Sequence, residues 1–176
     1  MRLIALSRRL WPAAVALLAL PACGDGRNLS KVYPVSGKIL VNGQPAKDCL
    51  ITLNPTSPPK TGAPVTPTGY TDDNGNFQIT SFANNDGAPP GEYVVTIEWR
   101  ERTGLTGMNY DGPDQLGGVY AKVEQTKAMP GFAVKVESKT TLPPFELKQS
   151  ADLKRQFEEQ KKNPGFNPRG PIGGSQ

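Results

Sequence analysis

Three groups of side chains in this sequence could do chemistry. The first lies in Tyr70-Thr71-Asp72-Asp73-Asn74-Gly75-Asn76, where Asp72, Asp73, Asn74 and Asn76 crowd oxygen atoms into a short run. A calcium loop needs alternate oxygen ligands over about twelve residues and a closing bidentate Glu. Gln78 to Asn85 contains no acid, so the spacing points to a polar turn with Asp/Asn capping the backbone and Gly75 at positive φ. Asp86-Gly87 reads the same way. The second group is Tyr70, Trp99, Arg100 and Tyr110, flat rings and a cation suited to stacking on a sugar. Trp99 ends an apolar strand face and is expected in the core, leaving Tyr70, Arg100 and Tyr110 as the candidate ligand-binding residues. The third is Cys49. The chain has no histidine, which removes the commonest general base, triad partner and metal ligand and leaves the thiol without an activating partner. Cys49 is expected to be a small buried apolar residue. The expected catalytic residues, metals and cofactors are none.

The elements that must position these groups are strands. Glycine (19) and proline (18) are plentiful and helical periodicity is scarce, which favours short strands with punctuated loops. The organising stretch is Gly69 to Trp99. Within it, Asn76 to Thr80 is a strand, and Glu92 to Arg100 is a half-buried one with Tyr93, Val95, Ile97 and Trp99 inward. Upstream, Val35, Gly37, Ile39 and Val41 share a face, and Asn42-Gly43 signals a type I′ hairpin, with Gln44-Pro45-Ala46 lengthening the connection. The return strand is Cys49 to Leu53, with Cys49, Ile51 and Leu53 inward. Residues 55–67, with prolines at 55, 58, 59, 64 and 67, make one long exposed loop and 100–118 the other. Thr68 to Thr71 is a short strand. Val119 or Tyr120 is expected to plug the core on the return. Phe132, Val134 and Val136 belong to a strand, as do Leu142, Phe145 and Leu147, with Pro143-Pro144 confined to an edge or bulge. Such strands at regular turn spacing make an all-β, two-sheet antiparallel sandwich. Ser150 caps a helix carrying only Leu153 and Phe157 as an apolar pair, marginal by itself. The tail is expected to be weakly helical and then disordered, adding little to stability.

At the N-terminus, Arg2, Arg8 and Arg9 precede an apolar run from Leu10 to Leu20, too short to span about 30 Å of hydrocarbon but suited to a secretory signal. The run ends in Leu20-Pro21-Ala22-Cys23, which resembles the bacterial lipobox. The resemblance implies cleavage before Cys23 and acylation of its thiol and amine, with each buried methylene adding roughly 0.8 kcal/mol to membrane attachment. The other reading is an ordinary signal with a coincident cysteine. The organisation is then 1–22 lipoprotein signal, 23–31 tether, 32–148 sandwich and 149–176 tail.

The path VSGKILVNGQPAKDCLITLNP, GYTDDNGNFQI and GEYVVTI resembles the carboxypeptidase regulatory-like (transthyretin-like) domain. Gly37, Asn42, Gly43 and Pro45 match its opening motif, with Asp48-Cys49 in place of the usual Gly-Ala. Thr71, Asp72, Gly75 and Phe77 match the second motif, and Pro90, Gly91, Tyr93 and Val95 the third. DGAPPGEYVVTIEW, LGGVYA and LPPFEL look like small bacterial lipoproteins built from one such domain. The resemblance covers Val35 to Leu147 and implies a seven-stranded antiparallel Greek-key sandwich, generally non-catalytic. The transthyretin-fold hydrolases of purine breakdown rely on histidines and a C-terminal Tyr-Arg-Gly-Ser, which this chain lacks.

Charge narrows the partners. The formal charge is +4, but removal of Arg2, Arg8 and Arg9 leaves 17 basic against 16 acidic residues. From Lys31 to Leu147 the count is 10 basic and 12 acidic. A nucleic-acid binder needs a basic face on its folded part, so no nucleic-acid partner is expected. The expectation is a non-enzymatic, exported lipoprotein, held on the bacterial envelope membrane through Cys23, with the sandwich as an interaction or structural module. The alternative is a carbohydrate- or peptide-binding lipoprotein using loops 55–67 and 100–118. The expected partner is an envelope protein or a glycan.

Overall fold

Asn42 and Gly43 take φ of 51° and 79°, the double positive φ of a type I′ turn. In this computed structural model, described over residues 30–58, 64–100 and 112–162, that turn joins β1 (Val35–Val41) to β2 (Gln44–Pro45). Leader 1–22, Cys23, Tyr110 and tail residues 163–176 lie outside the described residues. So do 59–63 of the first long loop and 101–111 of the second.

The chain continues through β3 (Cys49–Pro55), β4 (Thr68–Tyr70), β5 (Asn76–Gln78), β6 (Gly91–Trp99), α1 (Val123–Thr126), β7 (Ala133–Val136), β8 (Thr140–Thr141), β9 (Phe145–Leu147) and α2 (Ala151–Lys162). The strands form two sheets. One has the order β4-β3-β6-β7, antiparallel throughout. The other centres on β1, with β2 and β5 antiparallel to it. The antiparallel expectation fails at one place: β8 and β9 run parallel to β1. They are one strand broken at Pro143-Pro144, since proline supplies no ladder donor.

The hairpin also differs from the expected one. Val41 pairs directly with Gln44, so Gln44-Pro45 is the return arm rather than a longer connection. Cys49–Pro55 crosses to the other sheet, where it pairs with β6 from Cys49↔Trp99 to Pro55↔Tyr93. Proline at 45 ends the short arm by removing a donor, and buried Ala46 marks the passage between sheets.

The core lies between the sheets. Val35, Ile39, Phe77, Phe145 and Leu147 come from one side, and Cys49, Ile51, Leu53, Val95 and Ile97 from the other. The period-two assignments therefore hold for β1, β3, β6 and β9. Phe132 continues the aromatic packing, with its ring centroid 5.1 Å from Phe145 and 5.8 Å from the stacked ring of Tyr120.

Three expectations are corrected. Strand β6 is not simply half-buried, because Val94 and Thr96 on its other face are buried as well. The Asn54 amide donates to Thr96 Oγ1 at 2.9 Å, and α1 lies against the strand. The excursion bearing α1 leaves β6 where Tyr120 O accepts Ile97 N–H and rejoins where Phe132 O accepts Val95 N–H. The return segment enters the core chiefly at Leu116, 1% exposed, which the sequence did not single out. Tyr120 packs against the core as one of the two expected residues, whereas Val119, the other, is 46% exposed. The start of the tail is part of the fold: Ser150 Oγ accepts Leu153 N–H at 3.2 Å, Leu153 sits over Gly117, and Phe157 is buried. A helix marginal alone forms here because its two apolar residues find tertiary partners.

Candidate binding cleft

The two sheets are stitched together where β4 meets β5. Thr68 and Thr80 exchange both backbone hydrogen bonds, at 3.0 and 2.7 Å, and Thr71 bridges Phe77. Between these bridges Gly69 lies so close to the Gln78 carbonyl that a Cβ there would collide with it. Glycine at 69 is thus required by close backbone approach.

Each end of this seam is set by an aspartate. Asp72 Oδ1 accepts the backbone N–H of Asn76 at 2.8 Å and of Asn74 at 2.9 Å, and Gly75 takes φ of 75°. The Asn76 N–H above all, together with the Asn74 N–H, holds the Asp72 carboxyl below the usual carboxylate range. This is the capped polar turn expected from the sequence, with its carboxylate facing backbone donors. At the other end Asp86 accepts the N–H groups of Ser81, Ala83 and Phe82 at 2.8, 2.9 and 3.0 Å. Burial works to raise its pKa, but these three donors outweigh it and the net shift is downward. Thr80 Oγ1 accepts Asn85 N–H at 3.0 Å, and Asn85 adopts φ of 57°. Among the described residues no three His, Cys, Asp or Glu side chains gather as a metal site.

Alongside the seam is a cleft of about 480 Å³, bordered by Tyr70, Asp72, Asn76, Gln78, Asn84 and Asn85. All six are exposed. The strand accounts for two of them: on β5 Phe77 points into the core, so Asn76 and Gln78 point outward.

Of the candidate binding residues, Tyr70 lies in this cleft, 45% exposed. Arg100 does not line it. Its guanidinium donates to Glu98 Oε2 at 2.6 Å and to the Gly112 carbonyl at 3.1 Å. Tyr70, Leu50 and Glu98 form one cross-strand row, and Arg100, two positions beyond Glu98, shares its face. Tyr70 and Arg100 therefore lie on the same outer surface, separated by Leu50 and Glu98. Trp99 is half-buried against the core, with Nε1 donating to the Lys47 carbonyl at 2.9 Å. Cys49 is fully buried; burial above all pushes its thiol up to about 12, consistent with an inert core residue.

Sequence reasoning weighed Asn76 only as an oxygen of a calcium loop and missed the other amides. Gln78, Asn84 and Asn85 are individually ordinary loop or edge residues, though the density of amides over Asn74 to Asn85 is a visible signal. It also missed Asp114, whose carboxylate accepts the N–H groups of Trp99, Leu116 and Gly118 at 2.9, 3.1 and 2.8 Å. No known family's model matches the chain, and no curated protein sequence matches it.

Proposed function

We propose that the chain is a non-catalytic lipoprotein of the bacterial cell envelope whose sandwich holds a partner rather than transforming a substrate. The observation that carries this reading is what four of the described reactive side chains do. Asp72, Asp86 and Asp114 each hold several backbone N–H groups. Cys49 is sealed in the core with its thiol pushed up to about 12. A general base or nucleophile needs a reachable, unengaged atom near its working pKa, and these groups are engaged as structural acceptors or buried.

Within this reading we assign the sandwich to the carboxypeptidase regulatory-like, transthyretin-like class with Greek-key connections. Support comes from where its three motifs fall. Asn42-Gly43 and Pro45 make the β1–β2 hairpin, and Thr71, Asp72, Gly75 and Phe77 make the capped turn between β4 and β5. Pro90-Gly91 leads into β6, where the Tyr93 hydroxyl donates to the Pro89 carbonyl at 2.8 Å.

Attachment is assigned to acylated Cys23 on the strength of Leu20-Pro21-Ala22-Cys23. Among the described residues no helix is long and apolar enough to cross a membrane. Intact mass of the membrane-extracted protein tests the assignment. Cleavage before Cys23 with added acyl mass is expected, lost in Cys23→Ser and kept in Cys49→Ala. An unlipidated chain starting at another residue would overturn it.

A further inference from the structure

We propose that the cleft beside the β4–β5 seam binds a neutral, hydroxyl-rich oligosaccharide, with Tyr70 as its stacking platform and the surrounding amides reading its hydroxyls. The proposal rests on the reading of the chain as a binding module, and it places the site in the cleft rather than across the long loops.

The lining chemistry selects the ligand class. The carboxamides of Gln78, Asn84 and Asn85 carry both donors and an acceptor, and Asn76 adds its oxygen while its Nδ2 donates to Asp72 Oδ2 at 3.4 Å. A sugar hydroxyl is itself donor and acceptor, so the two sets match without net charge. Tyr70, 45% exposed, borders the same cleft, and the C–H-rich face of a pyranose suits the negative face of an aromatic ring. A volume of about 480 Å³ lies within the range of small-ligand sites.

Charge argues against an anion. No lysine or arginine lines the cleft among the described residues. Asp72 at its border is held ionised by the turn, with Lys38 on the neighbouring strand as a nearby counter-charge. A phosphate or carboxylate ligand would meet a carboxylate at that border, and no lysine or arginine among the described lining residues offsets it.

Backbone geometry argues against a peptide strand. A peptide adding to a sheet edge needs free backbone donors and acceptors. At this corner the facing edges already bond each other through Thr68 and Thr80. Gly69 against the Gln78 carbonyl leaves no gap for a third strand. Recognition here falls to side chains.

The cleft walls are also held in place without the ligand. Asp72 and Asp86 fix the turns that carry Asn76 on one side and Asn84 and Asn85 on the other. A site built before binding loses less conformational entropy when it is occupied.

The test uses the full chain in detergent on an array of neutral and of sulfated or carboxylated oligosaccharides, followed by calorimetry with the neutral array hit of highest signal. Binding to at least one neutral glycan is expected, weakened about tenfold or more by Tyr70→Ala and measurably by Gln78→Ala or Asn84→Ala. Tyr70→Phe should keep most of the affinity, and Lys135→Ala, on β7, should keep all of it. Melting temperatures of the variants separate lost binding from lost folding. Binding confined to anionic glycans, binding indifferent to both Tyr70→Ala and Gln78→Ala, or no glycan binding would each overturn the proposal. Chromatography of the recovered sugar tests the underlying reading independently. A cleaved or modified glycan would sink the non-catalytic assignment, whereas an intact glycan that never bound would sink only the cleft.

Discussion

The carboxylate of Asp114 accepts the backbone N–H of Trp99 at 2.9 Å, across a separation of 15 positions. The same side chain takes the N–H groups of Leu116 and Gly118, so one residue fixes both the end of β6 and the return that inserts Leu116 into the core. Asp114→Ala should lower stability by about 1–3 kcal/mol, the cost of leaving partly buried donors unpaired. Asp114→Asn, which keeps one acceptor oxygen, should recover part of it. Urea denaturation of the two variants checks this. Equal loss in both would mean that the charge, and not the acceptor geometry, holds the turn.

Asp72 and Asp86 give the protein an acid limb. Both carboxyls lie lower in the folded state than their ordinary value. Their contribution is therefore full above the unfolded pKa of about 4 and lost as pH falls through the lower folded values. Urea midpoints should stay level from neutral pH to near pH 4 as far as these two groups are concerned, then decline. Asp86→Asn should flatten that decline while lowering stability at neutral pH. An unchanged acid limb in the variant would refute the assignment.

Two glycines with similar backbones should respond differently. Gly43 at φ 79° has open space around it, whereas a Cβ on Gly75 at φ 75° would collide with the Ile39 carbonyl. Gly43→Ala should cost only the left-handed penalty of about 1–2 kcal/mol. Gly75→Ala should cost clearly more, because backbone must move as well. Comparable melting temperatures for the two variants would contradict the packing of the 72–75 turn against β1.

Strand β6 offers a test of register. Ile97 is fully buried, and Ile97→Ala should cost about 2–5 kcal/mol. Its neighbour Glu98 is partly exposed and engaged in an ion pair with Arg100, so Glu98→Ala should cost at most about 1 kcal/mol. Chemical denaturation of both decides it, since similar losses would put the wrong face inward.

Helix α2 should matter to the fold. Phe157 is buried, and burying such a side chain contributes about 1.5–3 kcal/mol. Phe157→Ala and truncation after Gln149 should both lower the melting temperature, the truncation more. A truncated chain melting with the full one would restore the view of the tail as an appendage.

The sequence determined what depends on near neighbours. Positive φ at Asn42 and Gly43 follows from turn chemistry, the capping by Asp72 from a donor four positions away, and the inward sets of β1, β3 and β6 from the two-residue pleat. The tertiary structure decided what depends on partners. Period-two patterning says which side of a strand is apolar but not which edge its backbone will meet. The crossing of Cys49–Pro55 to the other sheet and the parallel run of β9 beside β1 were therefore open. Leu116 rather than Val119 fills the core, and Phe157 finds cover, because burial is a property of the space left by other elements. The candidate site shows the same division. Tyr70 was legible as an aromatic at a strand end, but Gln78 and Asn84 border its cleft only because the sheets close on each other through Thr68 and Thr80.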